Sequence, residues 1–447
     1  AVVVDASTEH HAVNAGLTMV EDVRGHDTAW AVANYGAQFN KDKLISLDPQ
    51  LHAHPLRDYA ALHNVLTYWD PPGKGAILAG QNDHTQVYGW DTGEGAAGEF
   101  EFFSSASANN LKAVAANFSQ SYSALSQWDV DVPDQANDVS PGIPTVDGKH
   151  YVAFVMSDGD NAQWLTNGFA NDPKWFGSPH RGNFTMNWDL TPEMIHLAPI
   201  AVKYLYENAS TGTNKDFFVT AHGPGTDYPS EVPDFAGSLA ATATSMQEVD
   251  HNILSIFDNM WDTTSFYTIL DNPAIDGAMF KSNWGCAYAC QGGQIYWHNG
   301  KPVVAVKHSL WDGFGTAASI SNALNAAPRS PLTNQGSYSV VNIHPWSTGG
   351  LGDPMSNLND LVGQLDSAIE VVTLEELIFH LRNNFGGPAG PVAPEELVTN
   401  GHFELGTSGW HESGNPFEMT YPDDASNGAQ SVGYDTNVPA DIGDPST

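Results

Sequence analysis

The feature that most constrains this chain is an unbroken apolar run, Tyr151-Val152-Ala153-Phe154-Val155-Met156, that stops abruptly at Ser157-Asp158-Gly159-Asp160-Asn161. A strand with one wet face alternates apolar and polar residues, so a run without alternation predicts a strand covered on both faces. That is the signature of a parallel sheet between helices. It also fixes where chemistry belongs, because parallel α/β folds build their sites where strands end and loops begin.

The same pattern recurs downstream. Strands are predicted at 217–220, 278–280, 303–306, 339–343 and 368–372, with helical spacing over 193–206, 239–260, 317–324 and 355–365 between most of them. After the last strand, Thr373 precedes Leu374-Glu375-Glu376 as an N-cap, predicting a helix to about residue 384. Strands alternating with helices over 149–385 predict a (β/α) barrel-like catalytic domain. Residues 1–135 predict a small N-terminal α/β domain, with strands at 1–4, 75–79 and 87–90 and helices at 27–39 and 55–69. The polar stretch 129–148 reads as a linker. Gly386-Gly387-Pro388 opens another linker, and 395–447 resembles the opening of a carbohydrate-binding β-sandwich module. It is too short for a complete sandwich of ~100 residues, so a longer parent protein is expected.

Composition removes several functions. Asp plus Glu number 52 against 16 Lys plus Arg, a formal charge of -36. Such a surface repels phosphate backbones and anionic headgroups, so no nucleic acid is expected as a partner. No apolar run approaches the ~18 residues of a membrane span, so no membrane insertion is expected. The two cysteines, Cys286 and Cys290, are too few for a zinc site and too far apart for a redox pair. A short disulfide is expected, and with it an extracellular protein, secreted or cell-surface. The opening Ala1-Val2-Val3-Val4-Asp5 reads as a processed or truncated start. Nothing in the sequence sets an oligomeric state.

Candidate chemistry follows from what each strand delivers. Asp158 and Asp160 lie two positions apart, so an extended backbone would set them on one face about 6–7 Å apart, within range of a glycosidase carboxylate pair. The same doublet could hold a divalent cation such as calcium, although no other cofactor is expected. Asp-Gly-Asp-Asn is equally good turn chemistry. Asn161 stands beside the pair as a substrate-binding candidate. The strand at 217–220 leads to His222, Tyr228 and Glu231, and the strand at 303–306 to His308, Trp311 and Asp312. The strand at 339–343 ends in His344 and Trp346. Trp188 and Asp189 are expected at the start of a helix. Aromatic faces bind pyranose C–H surfaces and carboxylates transfer protons, so the set suits a carbohydrate cleft. Asp160 is the candidate general acid and Asp158 the nucleophile or base, with Glu231 and Asp189 as substitutes. Asn161, Trp188, His222, Tyr228, His308, Trp311, Asp312, His344 and Trp346 are candidate substrate contacts.

Three stretches, 151–161, Trp188-Asp189-Leu190-Thr191-Pro192 and Gly223-Pro224-Gly225-Thr226-Asp227-Tyr228-Pro229, resemble the glycoside hydrolases named for a GxGYxYP signature. Gly300-Lys301-Pro302-Val303 and His344-Pro345-Trp346 resemble later segments of that family. The likeness spans about 150–385 and implies carbohydrate processing. Thr226 stands at the signature's first tyrosine, a departure expected to alter a sugar subsite while leaving Asp158 and Asp160 untouched. The resulting expectation is a secreted glycoside hydrolase. A metal-dependent polysaccharide deacetylase using Asp158, Asp160 and His222, or a non-catalytic glycan-binding matrix protein, are the alternatives.

Overall fold

The computed structural model describes residues 6–47, 55–69, 73–90, 96–119, 121–282, 284–346, 353–386, 417–420 and 431–434. Residues 1–390 form one compact unit and 391–447 a second. The first unit opens with a four-stranded parallel sheet built from β1 (Lys43–Ser46), β2 (Leu66–Tyr68), β3 (Gln86–Gly89) and β4 (Lys112–Ala115), in the order β2-β1-β3-β4.

The barrel follows: β5 (His150–Met156), β6 (Met186–Leu190), β7 (Asp216–Ala221), β8 (Ile253–Phe257), β9 (Gly277–Lys281), β10 (Ile295–His298), β11 (Lys301–Leu310), β12 (Tyr338–Ile343) and β13 (Ile369–Val371). Seven of these close on themselves through parallel pairings, β5-β6-β7-β8-β9-β11-β12 and back to β5. β10 forms an antiparallel hairpin with β11 outside the ring. The flank of β5 opposite β12 is shared, with β13 pairing its start and β6 its end. All seven residues of β5 are buried. Tyr151, Ala153 and Val155 point inward with Phe217, Val219, Ile253, Met279, Val304 and Val340. Val152, Phe154 and Met156 point outward beneath the helices.

The amino end of the barrel is plugged by the helix Leu374–Phe385. Its Leu374, Leu377, Ile378 and Leu381 join the inner cluster, each burial stabilising by roughly 1.5–3 kcal/mol. Thr373 caps it, accepting from Glu376 N at 3.1 Å. The polar stretch 129–148 is a strap against this end rather than a linker: Gln135 and Asn137 are buried and bond to the backbone of Phe218 and Asp216. The strap also seats Val139 N on Glu375 Oε2 at 2.7 Å.

Burial pushes Glu375 up from 4.5 to about 7. A carboxyl whose folded-state value is raised contributes stability that is fully present below its unfolded value and lost as pH rises through its folded value. Tm is therefore expected to fall between about pH 4.5 and pH 7, with Glu375 accounting for on the order of 3 kcal/mol. Glu375→Gln keeps a carbonyl for Val139 N–H and should flatten that slope in thermal melts at the two pH values.

Several expected elements differ. The apolar run at 75–79 is not a strand but part of the helix Lys74–Leu78, since five apolar residues do not distinguish the two. The stretch 55–69 is a helix, Arg57–His63, stopped by Asn64 at φ 56°, and then β2. The stretch 239–260 likewise holds a helix, Phe235–Glu248, and β8. Residues 1–4 lie outside the described residues. So does nearly all of the module expected at 395–447, of which only two antiparallel strands are described, β14 (Phe417–Thr420) and β15 (Ser431–Tyr434). Among the described residues no helix is long and apolar enough to cross a membrane. Cys286 and Cys290 form a disulfide.

Candidate active site

The carboxyl ends of the barrel strands converge on one buried ammonium. β9 alternates Met279 inward and Phe280 outward, so Lys281 points up the barrel axis. Its Nζ lies 2.5 Å from Asp189 Oδ2 at the end of β6 and 3.5 Å from His222 Nε2 beyond β7. The Lys281 and Asp189 side chains are essentially fully buried, and Ser255 on β8 also donates to Asp189 Oδ2 at 3.3 Å. Asp189 Oδ1 is buried without a partner.

Beyond β5 the backbone turns rather than extends. Asp158 has φ 69°, and Asn161 N returns to Asp158 O at 3.0 Å. This corrects the extended spacing expected for the two aspartates. The turn sends them to different partners. Asp158 accepts from Ser157 Oγ–H and from the Trp346 side chain, with His344 Nε2 at 3.6 Å. Asp160 accepts from Thr226 Oγ1 at 2.9 Å, with His222 Nε2 at 3.9 Å. A Cβ on Gly159 would run into the Asp189 carbonyl, so only glycine lets this turn close on β6. Asp158, His222 (φ 60°) and Tyr288 (φ 71°) all hold the left-handed conformation that ordinary residues avoid, and such strain gathers at functional sites.

The electrostatics follow from burial around one cation. Burial raises Asp158, opposed by the Ser157 bond and the charge of Lys281. Burial also raises Asp160; Lys281 opposes the shift and the charge of Asp158 adds to it. Asp189 is raised by burial against the pull of Lys281. Burial and Lys281 hold His222 well below its usual range and take His344 to about 3, so both imidazoles are neutral. Glu99, from the helix Ala96–Ser107, is raised well above its usual value by burial and by Asp160 and Asp158. The charges of the site thus reach it.

The small sheet docks on this end through the loop after β7. Ala113 and Thr226 form an antiparallel bridge, Lys112 Nζ pairs with Asp227 Oδ2 at 2.5 Å, and Tyr228 N bonds Ser107 Oγ at 2.9 Å. Gly225, at φ 153°, passes so close that a Cβ would lie 2.9 Å from Lys112 Cβ. A second contact joins Tyr88 OH to Glu193 Oε1 at 2.5 Å.

Measured against this geometry, the candidate residues separate. Asp158, Asp160, Asp189, His222 and His344 converge. Trp311 is half-buried and lies 3.7 Å from the His344 ring centroid-to-centroid, with Tyr288 edge-on at 5.2 Å. Trp346, 43 % exposed, packs on Trp164 and Trp175 at 4.5 and 5.7 Å beside Asp158. Asn161 caps the turn Ala162–Trp164 through its side-chain oxygen, and Asp312 is exposed. Trp188 offers no sugar face: it is on β6, not on a helix, 1 % exposed, packed on Phe169 and Phe176 and bonded to Asp216. Tyr228 is fully buried among Phe100, Phe103 and Phe257. His308 shares the outward register of Val341 and Ile343, below and outside the site. Glu231 accepts from Ser104 Oγ at 2.5 Å, on the helix Ala96–Ser107. Thr226, expected to leave Asp160 untouched, bonds to it. Lys281, Glu99, Ser157, Ser255 and Tyr288 are the residues that the sequence reading missed.

A family model described as "GxGYxYP putative glycoside hydrolase C-terminal domain" matches residues 148–382, over half of the chain. Among solved structures, a "putative hydrolase from Bacteroides thetaiotaomicron VPI-5482" is similar with a TM-score of 0.73 at 23 % identity, covering 85 % of this chain and 74 % of that one. At that identity the likeness shows the fold. No curated protein matches.

Proposed function

From the premise that this chain belongs to the GxGYxYP family, we propose that it is an extracellular glycoside hydrolase in which Asp158 and Asp160 cleave the glycosidic bond of an oligo- or polysaccharide. One observation carries the reading: two buried aspartates after a single barrel strand are held in unlike surroundings under one shared cation. Both carboxyls accept hydrogen bonds, but only Asp160 is raised further by its neighbour's charge, so Asp158 is the group that ionises first. Its charge then raises Asp160, which keeps its proton. Carboxyls pushed apart in this way take opposite roles.

Asp160 protonates the glycosidic oxygen as the C1–O bond breaks. Asp158 either attacks C1 or draws a proton from the water that does. His222 and His344, neutral and beside these carboxylates, orient them and bond to sugar hydroxyls. The exposed face of Trp346 and the edge of Trp311 provide apolar contact for a pyranose ring. Asp189 is tied to Lys281 and keeps the ammonium in place beneath the pair. Glu231 is engaged by Ser104 and leaves the acid–base roles to the two aspartates. The Cys286–Cys290 disulfide supports an oxidising, extracellular location.

The deacetylase alternative fits less well. Lys281 sits where the acids would gather a metal, and among the described residues no three His, Cys, Asp or Glu groups are arranged to hold one. The test is release of reducing ends from a panel of polysaccharides by wild type, Asp158→Asn and Asp160→Asn. Wild type should act on at least one polymer and both variants should be severely impaired. Equal release by all three, or binding without any release, sinks the proposal.

A further inference from the structure

We infer that the substrate sugar at this site carries no negative charge, being neutral or amino, and that uronates and sulfated sugars are rejected. The inference rests on the glycosidase reading above and adds the substrate class.

It comes from a complete inventory of cations. All sixteen Lys and Arg lie among the described residues. Of these only Lys281 stands among the converging side chains, and its Nζ is already held at 2.5 Å by Asp189. The other cation whose charge reaches a site residue, Lys112 acting on His222, is closed off by Asp227 at 2.5 Å, both side chains being no more than 5 % exposed. The two imidazoles that face Asp158 and Asp160 are kept uncharged by burial. Against one engaged ammonium stand four carboxyl groups: Glu99, Asp158, Asp160 and Asp189. Binding sites for sugar carboxylates and sulfates present arginine forks or free ammonium groups. Here, among the described residues, a bound anion would meet the ionised Asp158, protonated carboxyls, hydroxyls and neutral rings but no free cation, and poor screening makes repulsion by Asp158 strong. The chain's -36 charge repels polyanionic chains before they arrive. An amino sugar would instead find the ionised Asp158 as a counter-charge.

The test measures binding and cleavage in parallel. The probes are neutral gluco-, galacto-, manno- and xylo-oligosaccharides, glucosamine oligomers, oligogalacturonates and oligoguluronates, each with wild type and Asp158→Asn. A neutral or amino series is expected to bind wild type about 100-fold more tightly than any uronate, and Asp158→Asn to narrow that ratio about tenfold. Uronates binding as well as or better than every other series overturns the inference, whether or not they are cleaved. Preferential binding of neutral or amino oligomers without cleavage supports it while removing the hydrolase reading. Binding of none of the probes overturns both.

Discussion

Replacing Asp160 with Asn is expected to lower kcat/KM on an unactivated glycosidic bond by about 10²–10⁴-fold, the usual contribution of a general acid. On an aryl glycoside whose leaving group departs without a proton, the same variant should lose less than about tenfold, because the step Asp160 assists is no longer needed. Asp158→Asn should not show this leniency, since a nucleophile or base is required whatever leaves. Kinetics on matched activated and unactivated substrates separate the two roles. Equal losses on both substrates for both variants would mean that the aspartates act only in binding.

The second large effect is on Lys281. Lys281→Met leaves Asp189 buried without its ion-pair partner, which costs about 3–5 kcal/mol at neutral pH. Below the pH at which Asp189 takes a proton, the cost shrinks. Denaturant unfolding of Lys281→Met at acidic and neutral pH should show this, and the double variant with Asp189→Asn should recover much of the loss. A purely structural pair would do no more. Lys281 also lowers Asp158 and Asp160, so any folded Lys281→Met protein should have both limbs of its pH–activity profile moved to higher pH.

Much of the barrel was legible because β5, β7, β9, β11 and β12 are apolar on both faces. β6 and β8 were read as helix for an opposite reason. Asp189 and Ser255 face the polar mouth of the barrel, and Asn187 faces the plug, where it accepts from Leu374 N at 2.7 Å, so polar residues break the apolar run. The period of two nonetheless held information that residue type concealed. With Asn187 and Asp189 inward, Trp188 has to face outward, whatever acid stands beside it. The same phase, counted from Met279, points Lys281 inward, although a lone lysine after a strand ordinarily reads as a surface group with its charge in water. Glu99 and the Thr226–Asp160 bond depend on how the small sheet docks over the barrel, through Ala113, Lys112 and Ser107. No local pattern in one sequence encodes that contact. It gives the signature loop a structural role that its aromatic residue type did not suggest, with Tyr228 packing between the two sheets instead of against sugar.

The pH dependence of kcat/KM tests the central claim most directly. If Asp158 must be ionised and Asp160 protonated, wild type follows a bell whose two limbs both lie above the ordinary aspartate range, both groups being raised by burial. Activity is lost below as Asp158 takes a proton and above as Asp160 gives one up. Asp160→Asn should abolish the alkaline limb alone and Asp158→Asn the acid limb alone. Residual activity in each variant with both limbs intact would contradict the assignment and move the chemistry away from β5.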